Sequence, residues 1–185
     1  MKPEHTYASL KIENIVASGK IADALDIDYL SSHLDSCTLD RKKFPGAVYH
    51  ITDPKIVALL FSSGKIVMTG IHTNEEFHRA LAVLREQLHA AGAAVIDDPM
   101  VAITNMVCSY DSGSKINLNK MMLTFNLENI EYEPEQFPGL VYRLKDPNIV
   151  LLIFSSGKII LTGGKTIGDV KKAIDRMIPK FLEIQ

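Results

Sequence analysis

Apolar and polar residues alternate with a period of two along much of this 185-residue chain, and the period lengthens to that of a helix in four places. Residues 9–17, SLKIENIVA, alternate as a half-buried strand does. In 23–35, DALDIDYLSSHLD, Leu25, Tyr29, Leu30 and Leu34 fall on one side of a short amphipathic helix, and a polar connection follows. Segments 44–51, 56–61 and 65–70 read as three strands of an antiparallel meander, with Asp53-Pro54 and Ser62-Ser63-Gly64 as the turns between them. Thr73 and Glu76 have capping-box spacing, and Phe77, Leu81, Leu84 and Leu88 then recur at helical intervals until Gly92 stops the helix.

The whole order then recurs. AITNMVCSY (102–110) repeats the first strand, NLNKMMLTFNL (117–127) the short helix, and the meander and a long helix from near Thr166 complete the second copy. That helix carries Val170, Ile174, Met177 and Phe181 as its stripe, with Lys171, Lys172, Arg176 and Lys180 outside it. Between 44–70 and 137–163, 18 of 27 positions are identical at a constant offset of 93. Self-similarity of this strength at half the chain length means two copies of one unit. The expected domains are residues 9–92 and 93–185, two repeats sharing one continuous sheet about an internal pseudo-two-fold axis. Such a product suits a partner that is itself nearly symmetric.

Each unit offers one long helix to cover four or five strands, yet the meander strands are apolar on both faces. Val57, Leu59 and Phe61 point one way, Ile56, Ala58 and Leu60 the other. Helices on one face leave Leu59, Phe61 and Val67 uncovered, with their copies Leu152, Phe154 and Ile160. Two outcomes are open: the units bury this surface against each other as a sandwich core, or it stays open as an interaction site. Small polar residues fall on the same face. Asn14 and Asn105 stand two residues before Val16 and Val107 in matching first strands, and Thr69 and Thr162 share the parity of Val67 and Ile160. Donors and acceptors set among apolar side chains suit the DNA minor groove, whose edges offer mainly N3 and O2 acceptors. Apolar contact there disfavours a G·C pair, whose amine would be buried unpaired. Phe44, Phe61, Phe137 and Phe154 sit at strand ends beside turns, and a wedge that enters a base step must be apolar, rigid and terminal.

Charge narrows the choice. The net charge is −2, with ten basic and eleven acidic residues on each side of Gly92, so phosphate neutralisation alone cannot be the basis of nucleic-acid binding. Hydrophobic content of 46% is ample for a core, no run approaches the roughly 18 apolar residues of a membrane span, and MKPEHTYASL lacks the apolar centre of a leader. Cys37 and Cys108 occupy unmatched positions of the two repeats, which points to two reduced, buried thiols in a cytosolic protein rather than a repeated disulfide or metal site. No nucleophile–base pair or metal-ligand cluster is repeated. Gly64-Lys65 and Gly157-Lys158 lack the other glycines of a phosphate-binding loop. An enzyme, a metal and a cofactor are therefore not expected.

NIVA at 14–17, the four-Phe pattern, YEPEQFPGLVYR at 132–143 and IVLLIFSSGKIILTGG at 149–164 together resemble the TATA-box-binding proteins, general transcription factors of archaea and eukaryotes, from about Ser9 to Phe181. The resemblance implies an α+β saddle: a curved ten-stranded antiparallel sheet with helices on the convex face and an opened minor groove on the concave one. It implies that Phe44 and Phe61 pry one end of an A·T-rich element, and Phe137 and Phe154 the other. Asn14, Asn105, Thr69 and Thr162 would meet base edges. Val16, Val107, Leu59, Leu152, Val67, Ile160, Pro45 and Pro138 would line the groove, and Ser63, Lys65, Arg143, Ser156 and Lys158 would touch phosphates. Glu133 and Glu135 would dock transcription factor B, leading to the RNA polymerase pre-initiation complex. The open face also implies a homodimer when DNA is absent.

The chain departs from the family in places. His50 stands where a phosphate-contacting Arg is usual: either the first repeat grips phosphate more weakly and with a dependence on pH, since imidazole changes charge near neutral pH, or a neutral His merely fills the space. The first stirrup reads TLDRKKF, and Gln136 replaces a usual Leu beside Glu133 and Glu135. The long N-terminal extension of eukaryotic members is missing, so the expected setting is an archaeal cytoplasm at the nucleoid, and the nucleus if the source is eukaryotic. A competing reading keeps the fold as a protein-interaction module without DNA binding. The four Phe and both Asn argue against it.

Overall fold

Residues 7–125 and 127–184 are described in the structure, a computed structural model. The opening six residues, read above for a leader, and Asn126, within the expected 117–127 helix, lie outside the described residues. The alternating segments form ten strands and the periodic ones four α-helices: β1 (Lys11–Ala22), α1 (Ile27–His33), β2 (Cys37–Leu39), β3 (Ala47–Thr52), β4 (Lys55–Leu60), β5 (Lys65–Ile71), α2 (Asn74–Ala90), β6 (Val95–Asp111), α3 (Leu118–Thr124), β7 (Ile130–Glu131), β8 (Leu140–Lys145), β9 (Asn148–Ile153), β10 (Lys158–Gly164) and α4 (Ile167–Glu183). The class is α+β with antiparallel strands, as expected.

Two compact units divide the chain. The N-proximal unit is Asn14–Thr104; the C-proximal unit runs from Asn105 onward and takes in the segment up to Glu13. In the N-proximal unit the strands lie in the order β2-β3-β4-β5-β1, and in the C-proximal unit in the order β6-β10-β9-β8-β7. β2 was read as a polar connection; with only three residues it is too short to display alternation, and it pairs Cys37, Thr38 and Leu39 with Tyr49, Val48 and Ala47. β6 begins well before the expected residue 102, because Asp97, Asp98 and Pro99 interrupt the apolar pattern without interrupting the strand.

Each unit buries one sheet face under one long helix. Ile15, Ala17, Ile56, Ala58, Leu60, Ile66 and Met68 are buried together with Phe77, Ala80, Leu84 and Leu88 of α2. Met106, Cys108, Ile149, Leu151, Ile153, Ile159 and Leu161 are buried with Val170, Ala173, Ile174, Met177 and Phe181 of α4. Ala80 is fully buried where Leu81 was expected to point inward, and Leu81 is half-buried. Tyr29 is also turned out, 46% exposed, and stacks on His33 at 3.8 Å. Cys37 and Cys108 are buried free thiols, and burial pushes both thiol pKa values up.

Both long helices start as their sequences dictate. Thr166 and Asp169 form a reciprocal capping box. In α2, Thr73 Oγ1 accepts the Glu76 N–H at 3.0 Å, but the Glu76 carboxylate reaches one residue further back, to the His72 N–H at 2.7 Å. Helix and sheet are joined across the core in the same place twice. The Tyr49 hydroxyl donates to Gln87 Oε1 at 2.5 Å, and Lys180 Nζ donates to the Tyr142 hydroxyl at 3.0 Å.

At the start of the described chain, the Tyr7 hydroxyl donates to Asp175 Oδ1 on α4 at 2.7 Å, and this bond to a carboxylate pushes the phenol up to about 12. A raised folded-state value means that the contribution to stability is fully present below the ordinary phenol value of about 10 and is lost as pH rises toward 12. Thermal melts at pH 8 and pH 11 should therefore show Tyr7→Phe less stable than the parent at pH 8, with the gap narrowed at pH 11. An equal gap at both pH values would contradict the assignment.

Candidate nucleic-acid interface

The strand faces opposite the helices are neither buried nor polar. In the N-proximal unit a row runs Val48, Leu59, Val67, Ser18 across four directly paired strands. The C-proximal unit repeats it as Val141, Leu152, Ile160, Ser109. A second row sets His50 against Val57 and Val57 against Thr69, and its copy sets Arg143 against Val150 and Val150 against Thr162. Val16 and Val107 share the same faces. All the apolar members are half-buried, so this surface is not a sandwich core. Val48, Val141, Val150, Ser18 and Ser109 were not singled out from the sequence. Register places them, and the 93-residue offset pairs Val48 with Val141 and Val57 with Val150.

The two asparagines are held identically. Asn14 Oδ1 accepts the Gly70 N–H at 2.8 Å, and Asn14 Nδ2 donates to Thr69 Oγ1 at 3.0 Å. Asn105 Oδ1 accepts the Gly163 N–H at 2.7 Å, and Asn105 Nδ2 donates to Thr162 Oγ1 at 3.3 Å. Gly70 and Gly163 have φ of +87° and +106°, a conformation that turns the N–H toward the amide and that glycine adopts freely. The register shifts by a bulge beside each asparagine, between Ile15 and Ala17 in β1 and between Thr162 and Gly164 in β10. With Oδ1 occupied by backbone, each amide has its second N–H to offer to an acceptor lying on the face.

Aromatic pairs stand at the strand ends. Phe44 and Phe61 meet edge to face, centroids 5.6 Å apart at 65°, and Phe137 and Phe154 do so at 5.8 Å and 67°. The glycine of each Phe-Pro-Gly makes room for the pair. A Cβ on Gly46 would lie 2.8 Å from Phe44 Cε1 and 3.2 Å from Phe61 Cδ1; one on Gly139 would lie 2.7 Å from Phe137 Cε1 and 3.1 Å from Phe154 Cε1. These positioning glycines went unnoticed in the sequence, although the repeated FPG was the available signal. Pro45 and Pro138 are exposed beside the rings.

Ser63, Lys65, Ser156 and Lys158 are exposed on the hairpins that follow Phe61 and Phe154. Each hairpin is closed by bonds on its Phe: Phe61 N–H to Lys65 O at 3.0 Å and Gly64 N–H to Phe61 O at 2.9 Å, with the same pair at Phe154, Lys158 and Gly157, both at 2.9 Å. In the C-proximal unit an open depression of about 850 Å³ lies between Phe154, Ser156, Lys158, Ile160 and Ser109, and Glu13 brings a carboxylate to it that accepts from Ser109 Oγ at 2.5 Å. Arg143 Nε is 3.3 Å from Glu131 Oε1, while its counterpart His50 is exposed opposite Val57. Glu133 and Glu135 are exposed on the turn before Phe137. Among the described residues, no helix is long and apolar enough to cross a membrane.

Known proteins are similar to this chain over most of its length. The family model described as transcription factor TFIID, or TATA-binding protein, matches residues 9–91 and 100–184. The TATA-box-binding protein of Haloarcula marismortui is 44% identical over 95% of each chain, and that of Archaeoglobus fulgidus 46% identical over 91% of this chain and 92% of its own. The solved structure of Methanococcus jannaschii TBP superposes with a TM-score of 0.84 at 41% identity, covering 95% of this chain and 99% of that one. The chain belongs to the TATA-binding protein family, a family of transcription factors and not of enzymes.

Proposed function

We propose that this chain is an archaeal general transcription factor that binds A·T-rich, TATA-type promoter elements in the minor groove. The observation that carries the reading is the twice-built amide site: an Asn locked by a glycine N–H and a threonine hydroxyl, set in a half-buried apolar face. Amide N–H groups match the N3 and O2 acceptors of A·T pairs, and the surrounding valines, Leu59, Leu152 and Ile160 leave no acceptor for a guanine amine. The names of the similar proteins agree with it.

In this reading the two repeats, 9–92 and 93–185, act as one continuous saddle. Phe44 with Phe61, and Phe137 with Phe154, enter base steps and kink the duplex. Unstacking costs about a few kcal/mol per step, a magnitude known from minor-groove wedge proteins in general, this family included. Burial of apolar surface offsets it at about 25 cal/mol per Å². Pro45 and Pro138 line the groove beside the rings. Ser63, Lys65, Arg143, Ser156 and Lys158 meet phosphates, with Arg143 shared between DNA and Glu131. Glu133 and Glu135 recruit transcription factor B and through it the RNA polymerase pre-initiation complex, at the nucleoid in the cytoplasm. Without DNA the apolar faces of two copies meet in a homodimer.

In a gel-shift titration against a TATAAA duplex, Phe137→Ala and Phe154→Ala should each weaken binding by roughly tenfold or more, about 1.4 kcal/mol, with selectivity for the A·T element over a G·C control in the parent. Absence of A·T-selective binding, or alanine variants that bind as the parent does, would overturn the reading. Gly46→Ala should force the Phe44–Phe61 pair apart. Energy transfer between dyes at the ends of the duplex would then report a smaller bend than the parent induces, whereas an unchanged bend would show that the spacing of the pair is immaterial.

A further inference from the structure

The turns before Phe44 and Phe137 share a backbone and carry opposite charge. Lys43 N–H and Phe44 N–H donate to Asp40 O at 3.0 and 2.9 Å; Gln136 N–H and Phe137 N–H donate to Glu133 O, both at 2.9 Å. On this common scaffold one unit presents Arg41, Lys42 and Lys43, and the other Glu133 and Glu135. A second pair of positions changes in the reverse sense. Where the C-proximal unit has the ion pair Arg143–Glu131, the N-proximal unit has the residues at the same offset, His50 and Thr38. One unit therefore carries its cation on the strand and anions on the arm, and the other carries cations on the arm and none on the strand.

The arm's cations are not all committed elsewhere. Arg41 Nη2 is 2.6 Å from Asp28 Oδ2, and Lys43 Nζ is 3.6 Å from Asp40 Oδ2 with its side chain 85% exposed. Lys42 is exposed and has no carboxylate partner among the described residues. The arm runs directly into Phe44, so its ammonium groups flank whatever step that ring enters. We infer that in the N-proximal unit the phosphate grip has moved from β3 to the arm, where Lys42 and Lys43 hold backbone phosphates outside the Phe44–Phe61 wedge. This assignment rests on the minor-groove reading above. It makes the N-proximal unit the source of a salt-dependent share of affinity that the acidic arm of the other unit lacks.

The test is the salt dependence of binding to a TATAAA duplex with several flanking base pairs, for the parent and the double variant Lys42→Ala/Lys43→Ala. Two lost phosphate contacts lower the slope of log affinity against log salt by about 1.8, so the parent's advantage over the double variant shrinks about tenfold between 50 and 200 mM salt. The preference for A·T over G·C persists in the double variant, because phosphate contacts carry no sequence information. A parent that binds A·T-selectively with a slope the arm variant shares would overturn the arm assignment alone, the result expected if the arm instead docks an acidic protein segment. A parent without A·T-selective binding would overturn the minor-groove reading and the arm assignment with it.

Discussion

Everything else in this molecule depends on an imbalance between helix and sheet. Each unit has strands that are apolar on both faces and one long helix that covers only one of them. The covered face, from Ile15 to Met68 in one unit and from Met106 to Leu161 in the other, is a conventional core. The uncovered face keeps Val16, Val57, Leu59 and Val67, with Val107, Val150, Leu152 and Ile160, in a half-buried state that water does not favour. A surface of that kind is stabilised by whatever removes it from water, and its polar groups decide what can.

The polar groups are few and rigid. A side-chain amide on a strand would ordinarily rotate, but here its oxygen is fixed by a backbone N–H from a glycine with positive φ, and its nitrogen by a neighbouring threonine. The same economy governs the aromatic pairs. Gly46 and Gly139, having no side chains, leave the room that their rings occupy. Local backbone choices thus become chemistry: bulge, left-handed glycine and Phe-Pro-Gly turn each place a side chain that the sheet alone would leave free.

Duplication made much of this legible in advance. A strand or turn seen once is ambiguous, but Asn14 and Asn105, Thr69 and Thr162, and four phenylalanines at matching positions are not, and the open face followed from parity alone. What stayed hidden was what needs pairing partners. β2 has three residues and no pattern of its own, so its strand character exists only through β3. Val48 and Ser18 belong to the open face because they lie in register with Leu59 and Val67, a fact about neighbours rather than sequence. The short helix α1 proved less regular than its periodicity: Leu34 falls at the C-cap and Tyr29 turns outward onto His33. The exchange of Arg143 and Glu131 for His50 and Thr38 was half seen, as a missing arginine; pairing across β7 and β8 shows that both members of the ion pair changed together.

In the function proposed above, the open faces read the floor of the minor groove. Inosine–cytosine pairs present an A·T-like minor groove, lacking the guanine amine, while keeping a G·C-like major groove, so they separate the two edges of the base pair. Binding should be measured by fluorescence anisotropy on three duplexes of one design, whose core is built from A·T, I·C or G·C pairs. The I·C duplex should bind close to the A·T duplex, and the G·C duplex far more weakly. An I·C duplex bound as weakly as G·C would contradict that function, because sequence would then be read from the major groove.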